Sequence, residues 1–269
     1  MKRIFFGYMF FALLVLLVKQ GNAQLKERKG TDFYGKMKDY DLSTVLMADS
    51  FLVMNNVDDE VSKYFLKREP ALGFIGENYQ RLFIHFISIV KNARQPYVYT
   101  VYGKTRVKEN ICSFRGTLKI IRALLFEKDN IPGYKQGMTI CELVLYEDKK
   151  QSATGGFKGK LTSKFVIDKK GSFSYDGLNF ASDGYANNGF EGSWTSYQTK
   201  VSKRCDWGDF RIPNSRKLDI GAGEFSVDER YLKNGWQSYR DANSNLKSFG
   251  YTEEIIAEAR AKEEEQWWK

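Results

Sequence analysis

Asp206, Asp209, Asp219 and Glu224 gather in one stretch together with Trp207, Phe210 and Phe225. Two carboxyl groups flanking a bond, with aromatic rings to stack on a sugar, are the parts of a glycosidase centre. The same oxygens could ligate calcium, although no EF-hand spacing is present. Acids in loops also cap turns and pair with nearby cations, here Arg204 and Arg211. Proximity in sequence does not make carboxylates converge in space, so turn capping is the favoured role of these acids. His85 is the one histidine of the chain, inside Phe83-Ile84-His85-Phe86-Ile87. A histidine-dependent serine or cysteine nucleophile would have to use it, but in such apolar company a packed structural role is expected. Multi-histidine zinc sites, a Gly-x-Ser-x-Gly elbow and a phosphate-binding P-loop are absent from the sequence. Gly221-Ala222-Gly223 lacks the third glycine of a dinucleotide fingerprint. No metal and no cofactor is expected.

Aromatic side chains supply the second kind of chemistry. Trp207, Trp236, Tyr197 and Tyr231 are the candidates for stacking on a ligand or lining an apolar cavity. Trp207 and Trp236 stand out among them because their neighbours read as loop. Cys112, Cys141 and Cys205 are the three cysteines. In an oxidising compartment a Cys112–Cys141 disulfide is the favoured pairing, because the two lie in strand-like runs across one turn, with Cys205 left free in a polar segment.

The elements that must position these residues read mainly as strands. Extended runs are expected over 82–90, 97–107, 111–126, 138–146, 154–167, 172–177, 190–199 and 207–212. Asp148-Lys149-Lys150 and Asp168-Lys169-Lys170-Gly171 are typical of the turns between them. Short connections between successive strands imply an antiparallel meander closing into a barrel, with a sandwich as the second choice. Phe114-x-Gly116-x-Leu118 recurs as Phe157-x-Gly159-x-Leu161 and Phe190-x-Gly192-x-Trp194. Residues two apart share a strand face, and a mid-strand glycine marks a place where the sheet bends or an aromatic neighbour covers it. Asp58-Asp59-Glu60 followed by a run to Lys67 predicts a short helix in the N-terminal part, ended before Pro70. Thr252 with Glu253 and Glu254 predicts a capped C-terminal helix to about residue 265.

Lys2 and Arg3, the apolar run Ile4 to Val18 and the small residues Gly21-Asn22-Ala23 form a secretory leader pattern, with cleavage expected after Ala23. The apolar stretch is short of the roughly 20 residues of a spanning helix, so no membrane span is expected after cleavage. The protein is expected in the periplasm or secreted. The division that follows is leader 1–23, N-terminal extension 24–80, β body 81–213, and loop-rich cap with helix 214–269. Of the formal net charge of +9, Lys2, Arg3 and Lys19 leave with the leader. The remaining cations are interleaved with acids, which with export excludes nucleic acid as the expected partner.

The stretches Cys205-x-Trp207-Gly208-Asp209-x-Arg211-Ile212-Pro213 and Leu218-Asp219-Ile220-Gly221-Ala222-Gly223-Glu224-Phe225 resemble a signature of an uncharacterised family of exported bacterial proteins. That resemblance implies no activity and no catalytic residue. Gly192-Ser193-Trp194 is similar to the Gly-x-Trp of lipocalin-like (calycin) barrels, placed late in the chain instead of on the first strand. The expected function is a ligand- or partner-binding module without catalysis, taking a carbohydrate or a small apolar molecule. A glycan-active hydrolase built on the carboxylates between 206 and 224, and a structural or interaction protein of the cell envelope, are the alternatives.

Overall fold

The computed structural model of the chain describes residues 29–57, 60–127, 131–244 and 250–269, so the leader expected over 1–23 lies outside the described residues. The strands are β1 (Gly30–Asp32), β2 (Ser50–Val57), β3 (Glu60–Lys67), β4 (Leu72–Ile75), β5 (Gln80–Arg81), β6 (Phe83–Lys91), β7 (Val98–Val107), β8 (Asn110–Phe126), β9 (Tyr134–Glu147), β10 (Gly155–Asp168), β11 (Phe173–Tyr175), β12 (Asn187–Ser196) and β13 (Ser202–Asp209). Three helices are α1 (Ser43–Leu46), α2 (Gln237–Ala242) and α3 (Glu253–Glu263). Nine strands in the order β5-β4-β13-β12-β10-β9-β8-β7-β6 make one antiparallel sheet that curls strongly into a half-barrel. The expected meander is therefore present. Its turns use the chemistry read from the sequence: the Asp168 carboxylate accepts from the amides of Lys170 at 2.8 Å and Ser172 at 2.9 Å, and Gly171 takes a φ of 84°.

The glycine repeat explains the curl. Gly159 of β10 lies directly opposite Gly192 of β12, with Phe157 against Trp194 and Leu161 against Phe190. A Cβ on Gly159 would meet the Phe190 ring at 2.6 Å, and one on Gly192 would meet it at 2.5 Å. The missing side chains let the Phe190 ring lie over both backbones, and mid-strand glycines allow a sheet to bend. The concave face is then filled by Phe114, Leu118, Leu143, Leu145, Phe157, Leu161, Phe165, Phe190 and Trp207, all buried. On the convex face Lys119, Glu142, Lys160 and Glu191 line up across successive strands, alternating in charge. Directly opposed unlike charges suit a solvated sheet surface.

A half-barrel needs a plug. The chain from Phe33 through α1 supplies it, burying Met37, Leu42, Val45 and Leu46 in the concavity. The Tyr99 hydroxyl accepts from the Leu42 amide at 3.0 Å, and the Lys91 ammonium donates to the carbonyls of Lys38 and Tyr40. On the other side of β4 and β13, the loop 210–236 lays Ile212, Leu218, Phe225, Val227 and Trp236 over Leu72 and Phe74 as a second small core. Among the described residues no helix is long and apolar enough to cross a membrane.

Three expectations are corrected. Where a helix over 58–67 is expected, Glu60–Lys67 is instead the second arm of a hairpin, β2–β3, with Val57 paired to Glu60. Asp58 and Asp59 of that expectation lie outside the described residues. The Cys112–Cys141 disulfide is excluded by register: Cys141 lies opposite Ile120, eight residues along β8 from Cys112. At about 3.3 Å per residue that is some 26 Å, far beyond the reach of a bridge. All three thiols are free and buried. The strand expected over 207–212 runs instead over Ser202–Asp209, ended by Phe210 in the left-handed region at φ 64°. Cys205 and Trp207 are strand residues facing the core, not loop residues.

Two outcomes follow. Gly159→Val should lower stability by about 3 kcal/mol through overpacking against Phe190, whereas Gly35→Ala, with open space around it, should be silent; equal urea midpoints for the two variants would disprove the account of the curl. Burial pushes the Cys112 thiol up to about 11 and the Cys141 thiol up to about 12, and Cys205 well above the ordinary value. A thiol reagent at pH 8 should therefore label none rapidly in the folded chain and all three after denaturation without reductant, where a disulfide would leave one.

Candidate functional site

The two ends of the half-barrel do not meet along their whole length. β4 and β5 pair as a tight hairpin, Phe74 with Arg81 and Ile75 with Gln80, and the Leu82 amide donates to the Gly73 carbonyl at 2.9 Å. Past that bond the chains part. Ala71, Pro70, Glu69 and Arg68 lead back to β3, while β6 leads away with β7 as its neighbour. Pro70 has no amide to offer a ladder, which helps hold the two segments apart. Between them opens a cleft of about 620 Å³. Its walls are 67–71 and 83–87, with 46–49 at one side; Leu161, Asn188, Trp207 and Asp209 line its floor, and 266–269 border it outside.

The floor is shaped by an irregularity of the sheet. The β12–β13 register shifts between Asn187 and Phe190, and Asn188 takes a φ of 46°. Asparagine tolerates this conformation better than most side chains. The Asn187 amide group stands in for the lost ladder, accepting from the Lys164 amide at 2.7 Å and donating to its carbonyl at 3.0 Å. The bulge turns Asn188 inward. Its Nδ2 donates to Asp209 Oδ2 at 2.8 Å, and the Tyr175 hydroxyl donates to the same oxygen at 3.1 Å. Its Oδ1 is buried and has no hydrogen-bond partner among the described residues. Arg68 Nε lies 3.8 Å from Asp209 Oδ2, while its Nη1 donates to the Leu46 carbonyl at 2.8 Å. Burial raises the Asp209 carboxyl above its ordinary range against the opposing pull of Arg68 and the two hydrogen bonds.

The rim is aromatic. Trp268 stacks on His85 at 3.8 Å between ring centroids and an interplanar angle of 14°. Trp267 meets Phe83 edge-on, and the Arg106 guanidinium lies over both rings. Ion pairs fix this tail: Arg81 to Glu263 at 2.7 Å and Arg106 to Glu265 at 2.8 Å. The helix that carries it begins as the sequence indicates, with the Thr252 hydroxyl accepting from the Ile255 amide. His85 thus faces outward on β6, packed against the tail, and lines the cleft. Burial lowers its pKa, with Arg68 adding to the effect and Asp49 opposing it.

The four carboxylates read from the sequence are dispersed. Asp206 and Asp209 take opposite faces of β13, Asp206 on the convex side with Arg204 at 3.0 and 2.7 Å and the Gly192 amide at 3.1 Å. Asp219 is held by Arg211 at 3.0 and 2.6 Å and by the amides of Gly221 and Ser226. Arg211 also donates to the carbonyls of Gly221 and Gly223, so the stretches 205–213 and 218–225 form one structural clip. Glu224 is exposed. Among these acids, Asp209 alone reaches the cleft. Among the described residues no three histidine, cysteine, aspartate or glutamate side chains group to hold a metal.

The aromatic candidates also divide. Trp236 is fully buried in the second core, its Nε1 donating to the Tyr79 carbonyl at 2.8 Å and its ring under the Arg81 guanidinium. Tyr231 packs edge-on to Tyr79. Tyr197 lies half-buried at the far end of β12, under Lys149. Trp207 lines the cleft, but its ring is stacked on Phe190 at 3.7 Å and it is 1% exposed. Trp236, Tyr231 and Tyr197 do not line this cleft. Arg68, Asn188 and Trp268 escaped the sequence reading. Asn187-Asn188-Gly189 before an apolar strand was the available sign of an irregular entry into β12.

His85 gives a direct test, because a single histidine yields a single imidazole resonance. Its folded value lies below the ordinary one, so protons favour the unfolded chain: stability rises with pH between the two values and is lost as pH falls through them. Trp268→Ala should move the titration upward toward the ordinary value and flatten that slope; an unchanged midpoint by NMR would show that the tail does not cover His85. Comparison of the chain with protein-family models, curated proteins and solved structures finds no match, so the cleft is read from its own geometry.

Proposed function

We propose that the chain is an exported binding module whose ligand seats in the cleft between 67–71 and 83–87. The observation that carries this reading is the Asn188 Oδ1, a buried acceptor without a partner at the floor of an open cleft. An unmade hydrogen bond at a buried amide costs about 1–3 kcal/mol, and a ligand donor would supply it. Asp209 and Arg68 beside it add an acceptor and a cation. Met47, Ala71 and Phe86, each only partly buried, offer an apolar surface for the body of the same ligand. A few convergent polar groups within an apolar recess is the usual make-up of a ligand site.

Binding is favoured over hydrolysis because glycosidases hold two carboxyls about 5–9.5 Å apart across the bond. Here Asp206 and Asp219 are each engaged by their own arginine on other surfaces. The ligand is accordingly expected to leave unaltered.

A ligand-observed NMR screen of neutral saccharides and small amphipathic alcohols and amides tests the site. Hits should shift the His85 resonance, and Ala48→Trp, which fills one wall, should weaken them at least tenfold. Hits that leave His85 unmoved and bind the Ala48→Trp variant equally would overturn the cleft as the site.

A further inference from the structure

Resting on that reading of the cleft, we infer that its ligand is an extended polypeptide segment, added to β6 as a further strand. β6 is the last strand of the nine-strand row, paired to β7 on one side. Among the described residues no backbone or side-chain hydrogen bond reaches its other edge between Phe83 and Ile87. Every second residue of such an edge turns both its amide and its carbonyl outward. That row of unpaired groups forms one wall of the cleft.

The edge is treated unequally along its length. Its far end is covered by the plug, where Lys91 donates to the Lys38 and Tyr40 carbonyls. A bulge at Ile87 separates that covered end from the regular stretch Phe83–Phe86. Bulges commonly end strand pairing, and here one leaves a short open register facing the cleft. At about 3.3 Å per residue this stretch takes a strand of some four or five residues. Main-chain hydrogen bonds would give such a segment its affinity, and alternate side chains would point to opposite faces. One set enters the half-barrel toward Asn188 Oδ1 and Asp209, and calls for a side chain with an apolar stem and a neutral donor. The other meets His85 and Trp268.

The probe is the capped peptide acetyl-Thr-Val-Gln-Val-Thr-amide, its central glutamine supplying the inward donor. Saturable binding to the whole chain is expected, with hydrogen exchange of alternate amides between Phe83 and Ile87 slowed at least tenfold. N-methylation of one alternate set of peptide amides should weaken binding at least tenfold while the other set is tolerated. Equal binding of both methylated forms, or no slowing along β6, would overturn strand addition. If the small-molecule hits still shift His85 and the peptide does not bind, the peptide inference fails and the cleft reading stands. Failure of both removes both.

Discussion

The contact on which the architecture depends is the ring of Phe190 lying over the paired backbones of Gly159 and Gly192. A side chain at either position would hold that ring away and flatten the sheet. With both absent, β10 and β12 bend, and the concave surface that results is deep enough to bury Phe157, Leu161 and Trp207 in one core. Apolar burial at about 25 cal/mol per Å² then drives the chain to fill the concavity. Nine strands do not close the curl, so the segment from Phe33 to Leu46 is drawn in as a plug. The hairpin β2–β3 emerges beside it, and the cleft is the space left between plug, hairpin and the last strand.

Two buried carboxylates on β9 and β13 show where this packing is finished and where it is not. Glu147, at the closed end, accepts from the Thr105 hydroxyl at 2.6 Å, the Gly155 amide at 2.8 Å and the Trp194 indole at 2.9 Å. Donors from three strands saturate it, and it works as a rivet. Asp209, at the open end, is held by Tyr175 and Asn188, yet the amide that binds it leaves its own oxygen without a partner. Buried polar groups are nearly always satisfied in folded proteins. Gln136 Oε1 and the Tyr197 hydroxyl, the latter near Glu147, are buried without partners as well; Asn188 Oδ1 differs from them in belonging to a residue that lines the open cleft.

How far the sequence could be read follows from which faces are wet. β8, β9 and β10 each bury one face and solvate the other, so their alternation was plain and their bounds were nearly right. β13 is covered on both faces, by the main core inside and by the segment 211–214 outside, where Arg204 donates to the Asn214 carbonyl at 2.6 Å and Pro213 lies against Gly208. Its Asp206 is buried with Arg204, which erased the alternation and made Trp207 look like part of a loop. β3 fails for the opposite reason: Lys63, Tyr64 and Phe65 are all exposed, so no buried face imposed a period of two. The site was the least legible part. Its walls come from residues 46–49, 67–71, 83–87, 264 and 266–269, brought together by topology alone.

An open sheet edge is a liability, since it invites pairing with another copy of the chain. The structure limits it by several separate means. Lys91 anchors the plug over one end, the bulge at Ile87 interrupts the register, and Glu263 and Glu265 tie the tryptophan tail across Phe83 and His85. Each restricts approach to the edge from the outside or along its axis. None of them fills the short stretch beside Arg68, Glu69 and Pro70. A fold that only needed to hide this edge could have continued the β4–β5 ladder one or two residues further. Instead Pro70 interrupts it where the cleft begins, and the unpaired groups of β6 stay beside an acceptor that also lacks a partner. The two unsatisfied features share one space of about 620 Å³, and a single ligand can satisfy both.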